Sequence, residues 1–461
     1  MKKLYPLTAA QNMHYRWIKT YHTQQVSGVS IVAALKLEMD FGLLKKCIDT
    51  EMTRYKCLGL RFTKPDEDGN IMQYLVNKAP SSIKILKLDQ LSFEKADATL
   101  QKMAYSTFDG DDIPMYEFYF VMMPEGYNGF FVHMDHRLID SCGLAVMVED
   151  IIKLYAHFKY NKAYPEDLAD YTKVLESDLS KASNEKRFKR DKKFWSDKLD
   201  TFGEPLYSDI TGPWPLEASR QKHNNPNLRS CDIEKDNLFV TVKDYKLESD
   251  PTKELFSFCE QHHISFNNLL LLTMRTYLSK VNNGQEDISI QNFIARRSTK
   301  DEWTSGGSRT IMFPCRTVIS NNTSFIEAAK LVQNEQSSVY LHSSYDPALI
   351  YKEIEDRYNT PKDTTYESCY LTYQPMQMAS GNPDLSDIPV YFKWYANGAA
   401  TKKVYLTVTN TAGGGLNFSY HYQTAHLVEK DIELFYYYMM RIMFKGVQNP
   451  DMSLNDVIRQ V

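Results

Sequence analysis

Residues 30–37 (SIVAALKL) are rich in β-branched and apolar side chains and predict a strand. Asp40 then stands where a helix N-cap belongs, and Leu44, Cys47, Ile48 and Met52 follow at helical spacing on one face. A further apolar stretch covers 57–62. Two aromatic-rich runs, 116–122 and 129–134, flank Pro124-Glu125-Gly126-Tyr127-Asn128, which predicts a hairpin with a longer loop. From 143 to about 158, Leu144, Met147, Ile151 and Tyr155 mark an amphipathic helix.

The pattern changes at 178–198, where SKASNEKRFKRDKKFWSDK predicts a solvated helix or a linker. The proline-bearing stretch 201–227 (Pro205, Pro213, Pro215, Pro226) predicts an extended crossing segment and a domain boundary. Beyond it the same ingredients return. Asp250-Pro251 opens one helix, and Ser265 caps a very apolar second one over 267–280. Runs 404–410 and 416–422 flank Thr411-Ala412-Gly413-Gly414-Gly415, glycines that suit a hairpin connection better than a nucleotide loop. The expectation is an α+β chain of two comparable lobes, 1–180 and 228–461, joined by a linker over 181–227.

Composition narrows the class. The 461 residues are 43% hydrophobic and 24% charged, as in ordinary globular proteins. With 54 basic and 58 acidic residues the net charge is −4, without the basic face of a nucleic-acid binder. The start lacks a signal-peptide core, and no window is apolar enough to span a membrane. Seven scattered cysteines without CxxC spacing read as free thiols of a reducing cytoplasm, with no metal site implied. His262 and His263 end a helix and lack a third ligand, and His421 lies within a strand; none is given a function.

The sharpest local feature is His133-Met134-Asp135-His136-Arg137-Leu138-Ile139-Asp140-Ser141, placed between a strand and a helix. A neutral imidazole can take a proton from an attacking amine or hydroxyl, because its ordinary pKa is near 6.5. HxxxD alone is also common in structural settings.

The flanking sequence adds a resemblance. DHRLIDS resembles the HHxxxDG motif of nonribosomal peptide synthetase condensation domains and related acyltransferases, matching at His136 and Asp140. Leu7-Thr8-Ala9-Ala10-Gln11 is similar to the family's SxAQ motif, and Arg54 to Phe62 (RYKCLGLRF) to a degenerate RHExLRTxF. Phe108-Asp109 with Pro114-Met115, Phe194-Trp195, Arg309 to Arg316 (RTIMFPCR) and Tyr370-Leu371-Thr372-Tyr373 extend the likeness along most of the chain.

This resemblance implies two chloramphenicol-acetyltransferase-like lobes forming a V-shaped pseudodimer, with tunnels bringing two pantetheine-bound substrates to His136. It makes His136 the catalytic residue, and Asp140, paired with Arg54, the support of the motif loop. It implies an acyltransferase joining a carrier-protein-bound acyl thioester to an amine or hydroxyl, expected to be stand-alone because the given sequence carries no adenylation or pantetheine-serine motif. The carriers would be phosphopantetheine or coenzyme A, with no permanently bound cofactor. Two motif positions depart from the family pattern: Asp135 stands for the first His and Ser141 for the Gly. Asp135 and Asp140 also match the opening of the DxxxxDxxS heterocyclization motif, whose Ser would fall at Gly143. Asp135, Ser141 and Gly143 are therefore candidates to line the substrate channel. A coenzyme A acyltransferase, a heterocyclization enzyme and a catalytically degenerate carrier-binding homologue stand as alternatives.

Overall fold

A computed structural model describes residues 2–76, 82–108, 110–375 and 388–461. Asp109 of the Phe108-Asp109 motif lies outside them. The chain divides into two compact units of mixed helix and sheet. Among the described residues no helix is long and apolar enough to cross a membrane.

The first unit holds Met1–Ser183, Ala295–Ile311 and the described part of Gln377–Ala399. Its five-stranded sheet runs in the order Val390–Tyr395, Gly28–Lys36, Tyr127–Asp135, Tyr116–Met122, Lys84–Lys87. Neighbours are antiparallel except the last pair, and Gly28 lies opposite Asp135. Ile31, Ala33, Val132 and Met134 face the helices Phe41–Arg54 and Ser141–Tyr160. Val32 and Phe131 face the helix Phe93–Met103 from the other side. Burial on both faces is why residues 31–35 of this strand read as an unbroken apolar run. Asp40 caps its helix as expected, its Oδ1 accepting from Leu43 N at 2.9 Å.

The second unit holds Asn184–Ile294, Met312–Met376 and Ala400–Val461. Its six-stranded sheet follows the order Ile311–Val318, Asp287–Ile294, Cys369–Gln374, Val404–Asn410, Leu416–Gln423, Val240–Leu247. Helices Ser249–His262, Phe266–Val281, Phe325–Leu341 and Glu429–Gln448 supply the core against it. Phe266–Val281 is buried nearly all round, which accounts for its apolar composition. The 404–422 hairpin forms, and Gly414 takes φ +80° in its turn.

Two expectations about organisation are corrected. The lobes are not contiguous, because 295–311 and the strand Val390–Tyr395 complete the first unit from the far half of the chain. Nor is 181–227 a linker. Its helix Glu185–Phe202 buries Trp195 and Leu199, and the proline-bearing stretch forms a second helix, Trp214–Lys222. Prolines at a helix start cost nothing there, since the first amides lack partners in any case.

Candidate active site

The motif begins where the strand Tyr127–Asp135 runs out and ends where Asp140 caps the helix Ser141–Tyr160. Leu138 and Ile139 are fully buried and anchor the turn in the core. Within it, Asp135 and Arg137 form a buried ion pair, with Nε–Oδ1 2.9 Å and Nη2–Oδ2 2.8 Å. Ser27 Oγ and Arg137 N also donate to Asp135. His133, on the strand, spends both ring nitrogens on Ser30 Oγ (2.7 Å) and Ser106 O (2.9 Å), so it is structural.

Asp140 is fully buried, as is the side chain of Arg297 that grips it. The guanidinium makes a two-pronged contact, Nη1–Oδ2 2.8 Å and Nη2–Oδ1 2.7 Å. Gly143 N, Arg309 N, Thr310 N and Thr310 Oγ1 donate to the same carboxylate at 2.9–3.0 Å. Burial by itself would raise the Asp140 pKa, but Arg297 and these donors hold it well below the usual carboxylate range.

Arg54, expected to pair with Asp140, pairs instead with Asp150, Nε–Oδ2 2.9 Å, and donates to the carbonyls of Pro165 and Glu166. It thus fastens the helix Phe41–Arg54 to the middle of the motif helix, not to the motif turn. Beside this pair Glu51 is fully buried against Asp150. Burial and the neighbouring Asp150 push its pKa well above the usual range. A carboxyl protonated in the fold but ionised in the unfolded chain lowers stability as pH rises above about 4.5. Glu51→Gln is therefore expected to remove that loss, giving a stability gain over wild type that grows from pH 5 to pH 8. Urea unfolding at the two pH values checks it, and an equal difference at both would refute it.

The channel candidates fare differently. Asp135 is closed into its pair with Arg137, so it is not free to take the part of a heterocyclization aspartate. Gly143 is a helical residue packed against the turn, where an added Cβ would lie 2.8 Å from Ile139 Cγ1. Ser141 begins the motif helix and is half-buried. Cys142 beside it is no nucleophile at neutral pH, since burial pushes its thiol up to about 11.

His136 sits between the two ion pairs. Its Nδ1 is buried and hydrogen-bonds to no other residue among those described. Nε2 is left as the nitrogen through which the ring can act. Burial lowers the His136 pKa, against the pull of Asp140, of the residue's own backbone carbonyl and of Asp135, so the imidazole is neutral near pH 7. The N-terminal helix Ala9–Tyr21 braces the turn. Thr8 and Gln11 form its capping box, and Gln11 Nε2 donates to Arg137 O at 3.2 Å. The ring of His14 stacks on that of His136 with centroids 4.4 Å apart.

The sequence reading missed Arg297, Arg137 and His14. Arg137 stood inside the motif without a role, and Arg297 carried one local trace, the Arg296-Arg297 pair just after the strand Asp287–Ile294.

A neutral imidazole on a clamped strand-to-helix turn, with a buried Asp–Arg pair behind it, has the features of an acyl-transfer base. The family comparison agrees. The family described as Condensation domain matches residues 1–458, and the chain belongs to that family, whose members are acyltransferases that form amide bonds. Surfactin synthase subunit 1 of Bacillus subtilis (strain 168) is 20% identical over 457 residues, covering 98% of this chain and 12% of that protein. The chain thus spans only a small part of that relative. The first condensation domain of the calcium-dependent antibiotic synthetase, solved with a substrate analogue, superposes with TM-score 0.79 at 14% identity. That match covers 98% of this chain and 99% of the other. The starter condensation domain of rhizomide synthetase RzmA, solved with C8-CoA, gives TM-score 0.80 at 14% identity over 98% and 97%. Likeness at this identity shows the fold, two chloramphenicol-acetyltransferase-like lobes.

Proposed function

We propose that this chain condenses an acyl group, held as a thioester on the phosphopantetheine arm of a carrier protein, with an amine acceptor. The supporting observation is His136 itself, a neutral imidazole with one usable nitrogen on a turn fixed by Asp140–Arg297 and Asp135–Arg137. As the amine attacks the thioester carbonyl, Nε2 takes its proton. The C–S bond then breaks, and the thiolate leaves to be protonated, giving amide and free thiol. Asp140 touches no reactant in this scheme. Locked by five donor groups, it holds the turn so that the ring meets the reacting atoms without reorganising. An ester product would follow from a hydroxyl acceptor by the same steps. The seven cysteines are free, which suits work in a reducing cytoplasm.

Coenzyme A as the acyl carrier is the second reading, favoured by the C8-CoA bound to the related starter domain. Both carriers end in the same pantetheine arm, and binding energy from that arm can orient the carbonyl. One acyl group presented on carrier protein, on coenzyme A and on N-acetylcysteamine separates the cases by turnover. Carrier preference is the expected result, and coenzyme A preference moves the chain to the second reading. Equal rates on all three would contradict the use of an extended arm.

A further inference from the structure

The N-terminal helix lays one more side chain on the motif turn than the chemistry above requires. His14 follows Gln11 by three residues, so the two share a face of the helix Ala9–Tyr21. Gln11 holds the carbonyl of Arg137, and His14 lies flat on His136, interplanar angle 14°. The Trp17 ring meets His14 edge-on at 4.9 Å. His14 is 2% exposed, and neither of its nitrogens has a hydrogen-bond partner among the described residues. A leucine would fill the same space without leaving two polar atoms unpaired. The imidazole must therefore supply something that an aliphatic side chain cannot.

A stacked ring supplies a π-face. Beside a neutral imidazole that face adds little, but beside an imidazolium it attracts the new charge. Only one ring of the pair can be charged at a time. Burial, the His136 ring and Arg137 all oppose protonation of His14, which leaves it as the neutral partner. Of the remaining charges facing the pair, Asp140 favours a proton on either ring and Asp135 favours one on His136. Asp135 is tied to Arg137 and Asp140 to Arg297, so replacing His14 leaves these charges in place.

We propose that His14 is a positioning residue for His136, fixing the plane of its ring and favouring the imidazolium that forms when Nε2 accepts the acceptor's proton. This rests on the assignment of His136 as the base. The test compares the full chain with His14→Phe, which keeps a stacked ring, and His14→Leu, which does not. His136 is titrated by NMR in labelled protein, and kcat and KM are followed against pH. Loss of the π-face destabilises the charged ring. In His14→Leu the His136 midpoint should therefore fall by about half to one pH unit. Its kcat should fall by roughly 10-fold with KM little changed. His14→Phe should stay within about 3-fold of wild type on kcat and restore the midpoint. A His136 midpoint unchanged in His14→Leu overturns the inference, whatever the activity. A shifted midpoint alongside full activity of His136→Ala supports the ring pair and overturns only the assignment of the base.

Discussion

Replacing His136 with alanine is expected to lower turnover by roughly 10²–10⁴ while leaving the fold intact. The turn is held by Asp135–Arg137 and Asp140–Arg297, pairs that the substitution leaves in place. On the proposed scheme, what is lost is the proton acceptor. The amine of that scheme would then shed its proton to water while substrate binding persists, so the fall should lie in kcat more than in KM. The pH profile offers a second reading of the same residue. Burial holds the His136 pKa below 6.5, so activity should persist as pH falls through 6.5 and fail only lower. A folded His136→Ala protein with wild-type turnover would remove His136 from the chemistry.

Breaking the Asp140–Arg297 pair is expected to destabilise the protein by roughly 3–5 kcal/mol from either side. Asp140→Ala strands a buried guanidinium and leaves the amides of Gly143, Arg309 and Thr310 without their acceptor. Arg297→Ala leaves a buried carboxylate with those three amides and Thr310 Oγ1, but without its counter-charge. The double variant should be less damaged than the sum of the singles, because the second change removes a charge already stranded. Acid should act like a partial Asp140 deletion. The Asp140 pKa is depressed in the fold, so its contribution is present above about pH 4 and is lost as pH falls further. Additive effects in urea unfolding would show that the two charges act independently. The same variants should also lose turnover, since the turn carrying His136 would no longer be fixed.

The sequence alone determined the features that are local in the chain. The strand over 30–37, the caps at Asp40 and Ser265, the 116–134 hairpin and the helix that follows the motif were all legible. Each depends on side-chain periodicity or on a hydrogen bond spanning a few residues. His136 and Asp140 stood out through the family resemblance, which could be seen because the motif is one turn of consecutive residues.

Tertiary structure alone decided which charges meet. Arg297 lies 157 residues from Asp140 and reaches it only because 295–311 folds into the first unit. An ion pair leaves no periodic trace, and the family resemblance pointed to Arg54 as the partner. Helix geometry excludes that choice. Arg54 is held at Asp150, ten residues beyond Asp140 and about 15 Å along the helix axis, too far for one side chain to serve both. The strand Val390–Tyr395 was hidden likewise, since an edge strand is chosen by the free hydrogen-bonding groups of Gly28–Lys36 and not by its own neighbours in sequence. The stacking of His14 on His136 is the same kind of fact. The spacing of Gln11 and His14 puts both on one helix face, but only the packed helix shows that this face covers the motif turn.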